Sequence, residues 1–336
     1  MASEMKAKEG TVVTTHRPVR RAASLMVAMT ASSIAFAQTY PVKPVRIVVG
    51  FSAGGATDIV ARTIGHNLNQ AFGQPVIVDN RPGAASNIAA DHVAKSPADG
   101  YTVLVGSISL ANNATLYSNL PYDAVRDLAP VVHVTNTPFM LCVHPSIPVT
   151  SVKELVAFAK ARPGQVQYGT AGNGSGAHLF TELFRSMVGI ELQAIPYKGA
   201  APALNDLVGG QTAFVFDNVV GVVPLHKAGK VRCLAASSRS RSRIAPDIPT
   251  MQEAGIAGYE ADAWFGLFAP AGTPVAVVER INSEVNSALQ IPAIRSRFET
   301  LGCEPAGGSA AAFGAYFRSE IEKWRKVIRS AGVRLQ

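Results

Sequence analysis

The sequence predicts an α/β fold made of two lobes that are joined by two crossing connecting strands. The main evidence for this fold is a repeated unit that consists of an apolar strand, a glycine-rich turn and an amphipathic helix. The unit recurs in two separate series along the chain. The chain has 336 residues, more than one compact core usually holds. Hydrophobic residues make up 48% and charged residues 16%, which suffices for a large core and excludes intrinsic disorder.

The first series begins at a run of buried-strand character and contains three strands. Apolar residues at helical spacing between Ile59 and Phe72 follow its first turn, and Gly73 ends that helix. The predicted elements are strands over 45–49, 76–78 and 101–105 and helices over 59–72 and 86–95. Strands that alternate with helices in this way predict a parallel sheet with helices on both faces.

The second series begins near residue 144 and leads into a mostly helical C-terminal part. Ser151 and Glu154 form a capping box that opens its first helix. Strands are predicted over 166–169, 192–197, 212–216 and 231–235, and a helix over 177–188. Thr273 is predicted to cap a further helix with Pro274 at its first position. The last helix carries an apolar stripe from Phe313 to Ile328, which we expect to pack against a lobe.

Two apolar segments, 138–143 and 264–269, are predicted to connect the lobes. If the chain leaves the first lobe at one segment and returns at the other, that lobe is discontinuous. Lobe one then comprises 38–143 together with 262–336, and lobe two comprises 144–261.

The first 37 residues have the pattern of a Sec-type signal peptide. Three arginines, at 17, 20 and 21, precede an apolar run that reaches Ala37, and Ala35-Phe36-Ala37 is a small-x-small cleavage pattern. The run is too short for a membrane span, which needs about 20 apolar residues, so a membrane anchor is the less favoured interpretation. We predict cleavage after Ala37 and a periplasmic protein with no membrane span.

The three cysteines, Cys142, Cys233 and Cys303, are far apart and form no C-x-x-C motif, so no zinc or redox site is indicated. One disulfide is possible in an exported protein, but spacing does not choose the pair. Buried free thiols are the state that the sequence favours.

Most catalytic and cofactor signatures are absent. The seven histidines are scattered without ligand spacing, and Ser175 lacks the glycine that a nucleophile elbow requires two residues earlier. Gly172-x-Gly174-x-x-Ala177 fits a dinucleotide fingerprint, but the next strand ends at Lys198 where the fingerprint expects an acidic residue. We therefore predict no catalytic residue, no cofactor and no metal.

Several glycine-, serine- and asparagine-rich turns end strands and open helices. They cover residues 51–58, 83–87, 106–107, 170–178 and 197–202. The N-terminus of a helix has unpaired N–H donors and a partial positive charge, so it attracts anions. Two such arrays that face each other across a hinge would clamp a small carboxylate; ordinary connections between strands and helices are the alternative.

These turns also carry a family resemblance. The segments are 44–58 (PVRIVVGFSAGGATD), 78–83 (VDNRPG), 99–104 (DGYTVL), 168–179 (YGTAGNGSGAHL), 196–200 (PYKGA), 217–218 (DN), 248–250 (IPT) and 264–266 (WFG). In this order they resemble the Bug (Bordetella uptake gene) receptors, the TctC-like substrate-binding proteins of tripartite tricarboxylate transporters. The resemblance spans about 40–334 and implies a two-lobed periplasmic binding protein of the Venus-flytrap type, with the ligand in the cleft between its lobes.

The resemblance also implies a set of ligand-binding residues. Lobe one would contribute Phe51, Ala53, Gly54, Gly55, Asp58, Ser86, Asn87 and Ser107, and lobe two would contribute Thr170, Asn173, Ser175, His178, Tyr197, Gly199 and Asp217. For Asp58, bracing the turn and capping its helix is the favoured role, and for His178 a packing role is an equal alternative. Asp217 would either pair with an ammonium group or repel a second carboxylate of the ligand, unless it is structural.

The function expected from these observations is that of a non-enzymatic receptor for a small carboxylate. Membrane subunits of a tripartite transporter or a sensor kinase would be its partners, and we expect a monomer. An exported enzyme that uses the same cleft, such as a cofactor-dependent oxidoreductase, is the disfavoured alternative, and a protein-interaction role comes third. The formal net charge of +8 is too mild to indicate nucleic-acid binding.

Overall fold

The fold is an α/β arrangement in which ten strands form two sheets, as seen in a computed structural model that describes residues 10–12 and 40–330. The cleavage site predicted after Ala37 lies outside the described residues. The strands are β1 (Val45–Val49), β2 (Val76–Asn80), β3 (Thr102–Ser107), β4 (Leu128–Val143), β5 (Gln167–Thr170), β6 (Gln193–Pro196), β7 (Phe214–Asn218), β8 (Arg232–Ala236), β9 (Asp262–Pro270) and β10 (Glu304–Pro305). The helices are α1 (Ala56–Phe72), α2 (Asn87–Ala94), α3 (Ile108–Leu116), α4 (Val152–Lys160), α5 (Gly176–Val188), α6 (Ala200–Val208), α7 (Val219–Lys227), α8 (Val275–Gln290), α9 (Pro292–Thr300) and α10 (Ala310–Ser330).

The two sheets share the long strand β4. The first has the order β2-β1-β3-β9-β4, with β10 also paired to β4, and the second has the order β8-β4-β7-β5-β6. β1 pairs in parallel with β2 and β3, and β5 pairs in parallel with β6 and β7. The parallel pairing predicted from the alternation of strands and helices is confirmed within these groups, but each sheet as a whole is mixed, because β4 and β9 pair antiparallel with each other and with their other neighbours. A strand that leaves one sheet and a strand that returns to it run in opposite directions.

The two predicted connecting segments lie within β4 and β9. β4 pairs with β9 from Leu128 to Pro138 and with β7 from Phe139 to Val143, so it passes from one sheet to the other at Pro138. We call the halves built on the first and second sheets lobe one and lobe two. The boundaries of the lobes in the sequence stay a prediction.

The sequence signals for helix starts are partly confirmed. Ser151 caps α4, because its Oγ accepts a hydrogen bond from the Glu154 N–H at 3.2 Å. The Glu154 carboxylate accepts hydrogen bonds from the N–H and the hydroxyl of Thr150, at 2.6 and 2.9 Å, instead of from the N–H of Ser151. The predicted cap at Thr273 is wrong: α8 begins at Val275 with Pro274 as its N-cap residue, and the Thr273 hydroxyl donates to the Pro270 carbonyl instead.

The aromatic stripe of the last helix is core, as predicted. Phe313 and Phe317 of α10 pack on the buried Trp264 and Phe268 of β9. Further along α10, Trp324 stacks on Phe180 of α5, with ring centroids 5.3 Å apart. The helix therefore contacts side chains from both lobes.

Two of the three cysteines form a disulfide, so the expectation of free thiols is wrong for them. Cys142 of β4 and Cys233 of β8 are register partners on neighbouring antiparallel strands, which brings them together across a sequence separation of 91 residues. Cys303 is a buried free thiol.

Candidate functional site

A buried cavity lies where the carboxyl ends of strands from both sheets meet. Its volume is about 50 Å³, measured as the space open to the centre of a water molecule. We call it the inner cleft; it is lined by Phe51, Gly55, Ala56, Thr57, Ser107, Ile108, Ser109, Phe139, Ala171, Ser175, Gly176, Ala177, Ala200, Asp217, Asn218, Ala263 and Phe265. Both lobes and both connecting strands contribute to this lining.

The N-terminal ends of α1, α3, α5, α6 and α7 all reach the inner cleft. Their first amides lack partners within the helix and carry the positive end of the helix dipole. The N-cap residues of α1 and α6 are Gly55 and Gly199, which provide no side chain to cap these amides. The lining residues include no lysine or arginine. The positive potential of the inner cleft therefore comes from neutral main-chain groups.

A wider space of about 240 Å³ continues outward from the inner cleft, with Phe51 and Ala171 lining both. We call it the cleft mouth; its other lining residues are Gly50, Gly83, Ala84, Ala85, Tyr117, Gly172, Asn173, Pro196, Tyr197 and Lys198. Ala84 and Ala85 have positive φ angles of 46° and 48°, and the adjoining Ser86 has 77°. Residues other than glycine adopt this region at an energetic cost and do so most often at functional sites.

Hydrogen bonds join the two lobes around the mouth. The Tyr117 hydroxyl donates to the Asn173 carbonyl at 3.1 Å, and Asn112 Nδ2 donates to the Gly174 carbonyl at 3.3 Å. The Ser52 N–H donates to the Lys198 carbonyl at 3.2 Å. The structure is therefore that of a molecule whose lobes are closed over the inner cleft.

Gly199 is required for this closure. Its φ is +153°, and a β-carbon built there would collide with Ser52 of the opposite lobe. A side chain at this position would hold the two lobes apart.

Asp217 is the acidic residue of the inner cleft. Its Oδ1 accepts a hydrogen bond from the Asn218 N–H at 2.6 Å, and the residue is only 5% exposed. Burial raises the pKa of Asp217 to about 7, because the buried carboxylate loses its solvation by water and no cation among the described residues compensates for that loss. Near neutral pH this side chain therefore exists both as a hydrogen-bond donor and as an anion.

Neither a metal-binding cluster nor a membrane-spanning helix is present among the described residues. Among residues 10–12 and 40–330, no group of histidine, cysteine, aspartate and glutamate side chains is arranged to hold a metal ion. In the same residues, no helix has the length and apolarity needed to cross a bilayer.

The model of a known protein family matches residues 60–333, and its description is "Tripartite tricarboxylate transporter family receptor". The chain belongs to this receptor family. It is similar to protein BugT of Bordetella pertussis, with 39% identity over 302 residues that cover 89% of this chain and 93% of BugT.

Solved structures with sequences similar to this chain have the same fold. The structure of R. palustris Rpa4515 with adipate matches with a TM-score of 0.85 at 40% identity, covering 87% of this chain and 98% of Rpa4515. The structure of the periplasmic binding protein BugD matches with a TM-score of 0.86 at 33% identity, covering 88% of this chain and all of BugD (100%). The predicted two-lobed α/β fold and the resemblance to Bug receptors are confirmed.

The predicted site residues of this receptor fall into three groups. Phe51, Gly55, Ser107, Ser175 and Asp217 line the inner cleft. Asn173 and Tyr197 line the mouth. The others line neither space: Ala53, Gly54, Asp58, Ser86, Asn87, Thr170, His178 and Gly199. Their contact with a ligand stays a prediction.

Several residues of this third group brace the turns. Asp58 accepts hydrogen bonds from the Gly54 N–H, Arg62 and Asn80, at 3.0, 3.0 and 2.9 Å. Burial opposes ionisation of Asp58, but these bonds outweigh it and lower its pKa.

The turns of the other lobe and of the mouth are braced in the same way. Nδ1 of His178 accepts from the Gly174 N–H at 3.2 Å, and burial lowers the pKa of this histidine. Thr170 accepts from the Gly172 N–H at 3.0 Å. Asn87 accepts from Asn113 and the Tyr122 hydroxyl at 2.8 and 2.7 Å. These side chains fix the turns whose amides reach the cleft.

Sequence reasoning missed three kinds of lining residue. Thr57 and Ala200 lie inside two of the predicted turns but are not among the predicted ligand-binding residues, and Ser109 lies two residues beyond the predicted turn 106–107; all three are in the first turns of helices. Asn218 caps α7 through its Oδ1, which accepts from the Val220 N–H at 3.1 Å, while its buried Nδ2 has no partner among the described residues. Phe139, Ala263 and Phe265 come from β4 and β9 and carry no local signal.

Proposed function

We propose that this protein is a non-enzymatic periplasmic receptor that captures a small carboxylate in the inner cleft for uptake or sensing. The observation that carries the proposal is the meeting of five helix N-termini, without a lysine or arginine, in one closed cavity. Oriented amides stabilise a carboxylate without the cost of burying a cationic side chain. That Rpa4515 is described with adipate supports the assignment.

The rest of the lining suggests what the carboxylate is attached to. Phe51, Ile108, Phe139 and Phe265 give the inner cleft apolar walls. Such walls favour contact with a carbon skeleton, because transfer of apolar groups from water is favourable, and the small volume of the inner cleft requires this skeleton to be short. The ligand is thus a compact organic acid, with Asp217 near its uncharged or second polar end.

Binding would act through hinge closure. Lobe one is proposed to comprise 38–143 and 262–336, and lobe two 144–261, with β4 and β9 as the hinge. A ligand that touches helix N-termini of both lobes binds the closed form better than the open form, and this difference shifts the population. The closed form then becomes the signal that a partner reads.

Membership of the receptor family supports the location and the partners that are proposed here. The signal peptide is proposed to be cleaved after Ala37, which releases a monomer into the periplasm. Membrane subunits of a tripartite transporter or a sensor kinase would receive the closed form. An enzymatic role is not proposed, because the family is one of receptors.

A thermal-shift screen of the chain from Gln38 onward tests the proposal. The probes are malate, adipate, benzoate, glutamate and NAD. A carboxylate at 100 times its Kd should stabilise the folded state by about 2.7 kcal/mol, which raises the melting temperature by several degrees.

The matched control in this screen is adipamide, which keeps the length of adipate and lacks its charges. We expect adipamide to give no shift where adipate gives one. A response to NAD alone, or equal responses to acids and their amides, would contradict the proposal.

A further inference from the structure

A second cavity, of about 320 Å³, lies between the lobes at the hinge. We call it the hinge groove. Its floor is formed by residues 136–138 of β4 and Asp262 of β9. Lobe two contributes the loop 238–243 as one wall, and lobe one contributes the segment from Arg295 to Pro305 as the other.

The hinge groove and the inner cleft lie on opposite faces of the hinge strands. Asp262 lines the groove, while Ala263 and Phe265 line the cleft, in the alternation that a strand imposes on its side chains. The two cavities share no lining residue. A rotation about these strands that widens the cleft therefore narrows the groove.

Unpaired arginines line the wall from lobe two. The sequence of the loop alternates serine and arginine from Ser238 to Arg243. Arg241 is engaged elsewhere, since it pairs with Glu253 at 2.8 Å and donates to the Pro246 carbonyl. Arg239 and Arg243 are exposed, and neither has a carboxylate within 4 Å among the described residues.

Carboxylates line the floor and the opposite wall of the groove. Glu304 and Asp262 have no cation within 4 Å in the described part of the chain, and Glu299 approaches Arg295 only at 3.9 Å. Burial raises the pKa of Asp262 to about 6. The positive charge of Lys323 lowers this pKa, and the negative charges of Glu260, Glu304 and Glu320 raise it. Opposite charges thus face each other across the groove without touching while the cleft is closed.

We propose that the hinge groove stabilises the open, ligand-free form, because opening of the cleft brings Arg239 and Arg243 towards Glu304 and Asp262. This inference rests on the hinge closure described under the proposed function. Attraction across the groove opposes the hydrogen bonds at the cleft mouth, so the two sides of the hinge set the population of the closed form. The apparent affinity for the ligand is proportional to the fraction of molecules that are closed.

Small-angle X-ray scattering of the ligand-free chain from Gln38 onward tests this inference without knowledge of the ligand. Raising NaCl from about 20 mM to about 500 mM shortens the screening length and weakens the attraction across the groove. The radius of gyration of the wild type should therefore decrease with salt. The double variant Arg239→Gln/Arg243→Gln lacks this attraction. At both salt concentrations it should therefore have the smaller radius of gyration that the wild type reaches only at high salt.

Matched variants distinguish groove charges from net charge. Lys227→Gln/Arg297→Gln removes the same charge from exposed positions that do not line the groove, and it should behave like the wild type. Glu304→Gln should reproduce the compact form and add little to the arginine variant, since both remove the same attraction. A wild-type radius that does not change with salt, or equal responses in the groove and control variants, would overturn the inference.

A binding measurement separates this inference from the proposed function. For a carboxylate found in the thermal-shift screen, Arg239→Gln/Arg243→Gln should bind about two- to fivefold more tightly than the wild type at low salt. Unchanged affinity would contradict the role proposed for the hinge groove and would leave the proposed receptor function unaffected. The scattering result stands even if no carboxylate in the screen binds.

Discussion

The protonation state of Asp217 is expected to couple ligand binding to pH. Its pKa is raised to about 7, so the acid predominates at pH 6 and the anion at pH 8. The acid donates a hydrogen bond to a bound carboxylate, whereas the anion repels it. We expect affinity for a dicarboxylate such as adipate to fall by up to roughly tenfold between pH 6 and pH 8. Isothermal titration calorimetry at both pH values measures this change.

The variant Asp217→Asn is the matched control, because its amide has nearly the same shape and does not titrate in this range. Its affinity for the same ligand should be independent of pH and its ligand preference should change. An equal pH dependence in wild type and variant would show that another group is responsible.

The same shift in pKa affects the stability of the fold. A carboxyl with a raised folded-state pKa binds its proton more tightly when folded, so its contribution to stability is present below its unfolded value of 3.8. That contribution is lost as pH rises from this value through the folded value near 7. Asp217→Asn should therefore melt at a higher temperature than wild type at pH 8, and the gain should shrink towards pH 5.

At the scale of the element, the turn before each helix is what sequence could predict. Phe51, Ser107 and Ser175 lie in turns whose glycine and serine content is visible locally, and all three line the inner cleft. Phe139 and Phe265 lie within strands, where an aromatic residue is ordinary. Only the passage of β4 and β9 between the sheets places their side chains at the cleft.

The element that holds the lobes together at the mouth is the end of α3 with the tyrosine that follows it. The Tyr117 hydroxyl donates to Asn173 of the other lobe, and a hydrogen bond of this kind contributes about 1 kcal/mol. Because the bond exists only when the lobes are closed, Tyr117→Phe should weaken carboxylate binding about fivefold. Surface plasmon resonance should assign most of this loss to faster dissociation.

Tyr259→Phe is the matched control for Tyr117→Phe. Its hydroxyl also donates to a backbone carbonyl, that of Phe180, at 2.9 Å, but both partners lie within the bounds proposed for lobe two. Tyr259→Phe should lower the melting temperature and leave the dissociation rate unchanged. Faster dissociation in both variants would indicate general loosening rather than loss of a contact between lobes.

At the scale of the whole molecule, two repeated series of elements predict two lobes, but strand direction in the sheets was not predictable. Each series by itself predicts parallel strands, and β1 to β3 and β5 to β7 do pair in parallel. The antiparallel strands arise because the chain must cross between the lobes and return. The same crossing sets Cys142 opposite Cys233, a pairing that depends on register and not on local sequence.

The Cys142–Cys233 disulfide should stabilise the whole fold by restricting the unfolded chain. It closes a loop across 91 residues, and a disulfide of this kind typically contributes about 2–4 kcal/mol. An oxidising periplasm would maintain it. We expect Cys142→Ala/Cys233→Ala to unfold at lower urea concentration than the oxidised wild type. Dithiothreitol should lower the urea midpoint of the wild type towards that of the double variant and leave the variant unchanged. A wild-type midpoint that is insensitive to the reductant under unfolding conditions would contradict a stabilising role, since the bond is accessible once the chain unfolds.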